Sequence, residues 1–148
     1  MNGSDEMKPV LETKFAYKGY PCVVLFMPLG YRCGYVGTTE KDSDYYNKSE
    51  DVINLFTTCP VRITYSEPKL QEEYDGKTWW IGFDHGGGNE GRDWELAEYY
   101  YSESPDWQRL FKPLANICKE SGMQFPPAVS KYEIIEECKT IVDQIVKE

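Results

Sequence analysis

The spacing of apolar residues changes along the chain, separating a strand-forming first half from a helix-forming end. Phe15, Tyr17 and Gly19 alternate with Ala16, Lys18 and Tyr20, the two-residue period of a half-buried strand. Residues 22–27 form a continuous apolar run of strand length, which predicts a strand covered on both faces. Pro28-Leu29-Gly30 supplies turn residues and 31–36 alternate again, so the two runs read as a hairpin. Polar residues 38–50 fit a surface loop, followed by a short helical turn over 49–55. A strand is predicted over 61–66 from β-branched Val61, Ile63 and Thr64. After an Asp75-Gly76 turn, another is predicted over 78–84.

Beyond Asp84 the pattern breaks. Residues 85–91 hold four glycines in seven positions, too permissive a backbone for regular structure. Residues 93–101 mix aromatic and polar side chains and fit neither period. Ser104-Pro105 is a helix start, with Ser as N-cap and Pro at the first helical position. Trp107, Leu110, Phe111, Leu114, Ile117 and Cys118 follow at helical spacing; Pro113 should split that helix and Ser121-Gly122 should stop it. At the end, Ser130 and Glu133 form a capping-box pair ahead of Ile134, Ile135, Cys138, Ile141, Val142, Ile145 and Val146. These seven form one apolar stripe, and the sheet is the only surface large enough to cover it. Strands first and helices last is the α+β order. The prediction is a mainly antiparallel sheet packed by a C-terminal amphipathic helix and a second, Pro-interrupted helix. Residues 1–12 are expected as a flexible N-terminus and 13–148 as a single α+β domain.

Charge narrows the partners. Sixteen Lys and Arg face 25 Asp and Glu, a net charge of −9, and nowhere do three basic residues cluster. Direct nucleic-acid binding, which relies on cations displacing counterions, is therefore not expected, and nor is an anionic membrane surface. No segment approaches the roughly 20 apolar residues of a membrane span. Residues 1–8 are polar and acidic, so a secretion signal is not expected. Five cysteines (22, 33, 59, 118 and 138) with no C-x-x-C pair fit neither a disulfide framework nor a zinc ribbon, so free thiols in a cytoplasmic protein are expected.

The segment from Asp84 through His85, Gly86, Gly87 and Gly88 to Arg92 is the candidate chemistry. Amides of a glycine-rich loop after a strand can cradle a phosphate, because no Cβ holds the ligand away. It is no Walker A motif, since the lysine is missing, and Asp84, Glu90, Asp93 and Glu95 flank it. The alternatives are a plain connecting loop, or a metal site made by Asp84, His85 and Asp93. His85 is the only histidine, which excludes any two-histidine site. Cys59 lacks the setting of a catalytic thiol. Trp79 and Trp80 must point to opposite faces of their strand, so one ring can be core while the other lines a pocket and stacks a base. Arg32 and Arg62 lie in predicted strands; an inward arginine needs a carboxylate or a ligand anion.

Several blocks resemble a family of small phage and prophage proteins. They are GYPCVVLFMPLGYRCGYVG over residues 19–37, Ile63-Thr64-Tyr65-Ser66, Trp79-Trp80-Ile81-Gly82-Phe83-Asp84, and a closing helix with Glu136-Glu137-Cys138 and Val142-Asp143-Gln144. The resemblance implies a phage setting and carries no mechanism. Where the family pattern has His-Gly-Gly-Leu before its Thr-Tyr-Ser block, this chain has Pro60-Val61-Arg62-Ile63. After the Trp-Trp strand, Asp-Cys-Ala-His gives way to Asp84-His85-Gly86-Gly87. If the two family histidines form a site, at least one is lost here, which favours a binding protein over an enzyme. The expectation is a counter-defence accessory protein of the host bacterial cytosol, needing no cofactor. It would sequester an anionic nucleotide-type small molecule through Arg62, Trp79, Trp80, Asp84, His85, Gly86–Gly88 and Arg92. The alternatives are an inhibitor that docks on a host defence protein, as a DNA mimic for example, and a metal-assisted phosphoester hydrolase. A homo-oligomer is compatible with each.

Overall fold

The computed structural model describes residues 7–44, 62–87, 90–121 and 126–147. The helical turn expected over 49–55, Cys59 and Gly88 lie outside them. Five strands form one antiparallel sheet: β1 (Val10–Tyr17), β2 (Tyr20–Phe26), β3 (Arg32–Thr38), β4 (Tyr65–Glu67) and β5 (Trp79–Asp84). Their order across the sheet is β1-β2-β3-β5-β4. Among the described residues four α-helices follow: α1 (Trp94–Tyr100), α2 (Pro105–Leu110), α3 (Lys112–Glu120) and α4 (Lys131–Lys147). This is the α+β class expected from the order of patterns, and no described helix is long and apolar enough to cross a membrane.

The predicted β2–β3 hairpin is present, and Cys22 to Phe26 are all buried, as a run without polar alternation requires. Cys22 and Val24 face α4, whose Ile134, Cys138, Ile141, Val142 and Ile145 fill the main core with Val36, Ile81 and Phe83. Val23 and Leu25 face the other way, under Leu70 and Trp80. Phe26, at the far end of β2, packs with Ala97, Tyr101, Trp107 and Ala115 of the short helices. Val146, counted into the apolar stripe, is instead exposed on the final turn. Ser130 caps α4 through the Glu133 amide at 3.2 Å, and Ser104 caps α2 through the Trp107 amide at 3.1 Å. Pro113 splits α2 from α3 because it cannot continue the hydrogen-bond ladder of the preceding turn.

Three boundaries differ from the pattern reading. The first strand begins at Val10, so residues 10–12 of the expected flexible N-terminus belong to the sheet. It ends at a two-residue turn in which Lys18 and Gly19 both have positive φ, joining Tyr17 to Tyr20. β4 covers only Tyr65–Glu67, although the Thr64 amide still donates to the Gly82 carbonyl at 2.8 Å. The ambiguous 93–101 stretch is α1, capped where the Leu96 amide donates to Asp93 Oδ1 at 2.9 Å. Cys22, Cys33, Cys118 and Cys138 are free thiols. Burial pushes Cys33 up to about 12, and contact with Cys22 followed by burial pushes Cys138 up, so neither is a ready nucleophile.

Candidate ligand site

β5 directs Trp79, Ile81 and Phe83 toward α4, with Trp80 on the opposite face, so the two indoles separate as alternation demands. Trp80 is 7% exposed, and the Trp79 Nε1–H donates to Ser66 Oγ at 2.8 Å. Both lie four or five residues from Asp84, roughly 13–17 Å along the strand. The structure therefore does not bring either indole to the glycine loop, and Trp80 is core.

At the other end of β5 the chain leaves the sheet into two concavities. The smaller, of 270 Å³, brings Arg62, Asp84 and His85 together with Thr64, Glu90 and Glu137. His85 lies between two carboxylates: Nδ1 contacts Glu90 Oε2 at 2.5 Å and Nε2 contacts Glu137 Oε1 at 2.8 Å. The hydrogen bond to Glu137 raises the imidazole to about 9, with Glu90 adding to it against partial burial. At neutral pH the ring is therefore an imidazolium with both N–H groups donating. It has no lone pair for a metal or for taking a proton, and it ties the end of the loop to α4.

Two glycines of the loop, Gly86 and Gly91, serve packing, because a Cβ at either would clash with a neighbouring residue. A Cβ on Gly86 would lie 2.8 Å from the Tyr31 ring. The Gly86 amide donates to Asp84 Oδ1 at 2.9 Å, and the Gly87 carbonyl accepts from the Glu90 amide at 3.1 Å. The expected phosphate cradle over Gly86–Gly88 thus finds the Gly86 amide already engaged, and Gly88 lies outside the described residues. Asp84 also accepts from Thr64 Oγ1 at 3.2 Å, while Asp93, considered beside it as a metal ligand, is the α1 cap. Among the described residues, no three His, Cys, Asp or Glu side chains are disposed to hold a metal ion.

The larger cavity, of 470 Å³, lies on the other side of Glu90, between α1 and α3. Arg92 and Lys119 give it two cations, and Trp94, Leu114 and Cys118 give it an apolar wall. Arg92 stacks on Tyr31, 4.8 Å from guanidinium carbon to ring centroid, and its Nη2 donates to the Gly86 carbonyl at 2.9 Å. Its Nη1 is buried without an acceptor, the only such side-chain nitrogen or oxygen among the described residues. Lys119 reaches Glu98 at 3.2 Å. Of the residues proposed from sequence, Arg62, Asp84 and His85 share the cleft and Arg92 belongs to the cavity. Sequence reasoning missed Glu137, Trp94 and Lys119. The available signal for Trp94 was its place directly after a capping Asp93; for Glu137 it was an acid beside the α4 stripe in a chain with one histidine.

The clasp at His85 has a measurable pH signature. Its pKa is raised in the folded state, so its contribution is fully present below about pH 6.5 and is lost as pH rises through about 9. Stability should fall by about 1–3 kcal/mol across that window, lowering Tm by several degrees. Thermal melts from pH 6 to 10 check this: His85→Gln should flatten the slope, and an unchanged slope would contradict the clasp. Compared with known protein families, curated proteins and solved structures, the chain has no match.

Proposed function

We propose that the chain is a phage-encoded accessory protein that holds an anionic nucleotide-type small molecule without transforming it. Such sequestration in the cytosol of the host would blunt a nucleotide defence signal. The observation that carries the reading is the 470 Å³ cavity, in which Arg92 and Lys119 share the lining with the Trp94 indole. Its volume falls within the roughly 300–1,000 Å³ of small-molecule sites. A planar base suits the apolar wall, and a phosphate suits the cations. Arg92 also carries an unmet hydrogen-bond need at its buried Nη1, which an anion would satisfy if the guanidinium turned that edge toward the cavity. The binding residues proposed from sequence are thus carried forward at Arg92, with Trp94 taking the stacking role given to Trp79 and Trp80. Hydrolysis is the weaker reading, since both nitrogens of the only histidine are donating to carboxylates.

Calorimetric titration with linear and cyclic nucleotides and ADP-ribose derivatives tests the proposal. At least one should bind at micromolar levels, and Arg92→Ala should weaken it about 10–150-fold, the worth of a charge-assisted hydrogen bond. A matched melting curve separates lost binding from the lost contacts to Tyr31 and Gly86. One observation favours the second reading, an inhibitor docking on a host effector. Leu110, Leu114 and Ile117 are 48%, 42% and 64% exposed along α2 and α3. If no nucleotide binds, and a single host protein is retained by the chain but not by Ile117→Asp, that reading replaces the first.

A further inference from the structure

We infer that the ligand is a nucleotide whose base carries an exocyclic amino group, recognised by the Glu95 carboxylate; this rests on the nucleotide reading of the cavity. The charged groups lining the cavity differ in how far they are already committed. Glu90 is held by His85, Lys119 reaches Glu98, and Arg92 is stacked on Tyr31. Glu95 lines the same cavity from the first turn of α1, where it is exposed. Among the described residues it has no ion-pair or hydrogen-bond partner.

A cavity whose cations take the phosphate and whose apolar wall takes the ring thus has one uncommitted polar group, and it only accepts hydrogen bonds. An ionised carboxylate oxygen placed at the amino group of adenine or cytosine accepts from it. At that position hypoxanthine and uracil carry a carbonyl, which the carboxylate repels, and the ring N–H one atom away is the only donor their edge offers instead. Glu95 is exposed, so an analogue that cannot donate to it leaves the carboxylate to water, and the discrimination expected is that of one charge-assisted hydrogen bond.

The test is calorimetric titration of the full chain with the pairs AMP and IMP, and CMP and UMP. Each pair differs at the amino-for-carbonyl position. The amino member should bind at least about tenfold more tightly. Glu95→Gln, whose amide both donates and accepts, should bring each pair within about threefold. Equal binding of AMP and IMP by the unaltered chain would overturn this inference and leave the nucleotide reading standing. A preference that persists in Glu95→Gln would overturn it too, because another group would be the reader. Absence of binding by every nucleotide, with the chain folded by its melting curve, would overturn both.

Discussion

Ile141→Asp is expected to leave the chain unable to fold. Ile141 is fully buried, on the α4 face that meets β2 and β3. Losing the isoleucine side chain alone costs about 2–5 kcal/mol in a packed core. An aspartate there adds a carboxylate among Val24, Val36, Ile81 and Cys138, where no cation is within the cluster. The penalty for a buried unpaired ion is several kcal/mol more. Together they match or exceed the roughly 5–15 kcal/mol that holds a domain of this size. Expression should yield insoluble chain, or chain without a cooperative melt. Ile141→Val, which removes one methyl group, should cost only about 0.5–1.5 kcal/mol and remain folded. Folded Ile141→Asp with an unchanged melt would contradict the packing of α4 on the sheet.

Arg32→Ala should cost about 3–5 kcal/mol, the toll of breaking a buried ion pair from one side. Arg32 Nε donates to Glu12 Oε1 at 2.6 Å, with the two side chains only 9% and 5% exposed. The same guanidinium donates to the Val129 carbonyl at 3.0 Å and lies 5.2 Å from the Phe26 ring centroid. One side chain thereby joins β1, β3 and the approach to α4. Without it Glu12 would be a buried carboxylate supported, among the described residues, only by the Tyr100 hydroxyl at 2.7 Å. The fall in Tm should be on the order of 6–20 °C. Replacing Arg32 and Glu12 together by leucines should cost much less than Arg32→Ala, because no charge is then stranded. A single variant within 1 kcal/mol of the parent chain would mean that the pair contributes little.

That ion pair also marks where reading the sequence stops. The inward arginine raised a choice between a carboxylate and a ligand anion, and the structure supplies Glu12. Glu12 sits in a stretch whose Lys8, Glu12 and Lys14 look like a solvated tail, and a bulge between Leu11 and Thr13 breaks its alternation. Elements whose signal is local were legible: the unbroken run of β2, the stripe and cap of α4, and the split at Pro113. The Lys18–Gly19 turn was not, because lysine rarely takes a positive φ and only its neighbour's glycine hints at one.

The site was legible only in part, for a related reason. His85 was recognisable as singular, but Glu137 is 52 positions away and is brought to it only when α4 docks. Gly91 shows the same dependence: a Cβ there would lie 1.9 Å from the Pro126 carbonyl oxygen, a tertiary approach with no local signature. The engagement of the Gly86 amide by Asp84 and the close approach of Tyr31 had no local signature, because a glycine that admits a phosphate and a glycine that admits a tyrosine ring are the same letter. The cavity beside Arg92 depends on α1, the one helix whose mixed aromatic and polar residues hid its period.

Native mass spectrometry of the full chain, taken from bacterial cytosol and then mixed with a nucleotide panel, addresses the central claim most directly. The account predicts one added mass of nucleotide size, reduced in Arg92→Ala and absent once Cys118, which lines the cavity, has been alkylated. Chain that stays at its bare mass with every nucleotide offered, or that keeps its nucleotide after Cys118 is alkylated, would contradict it.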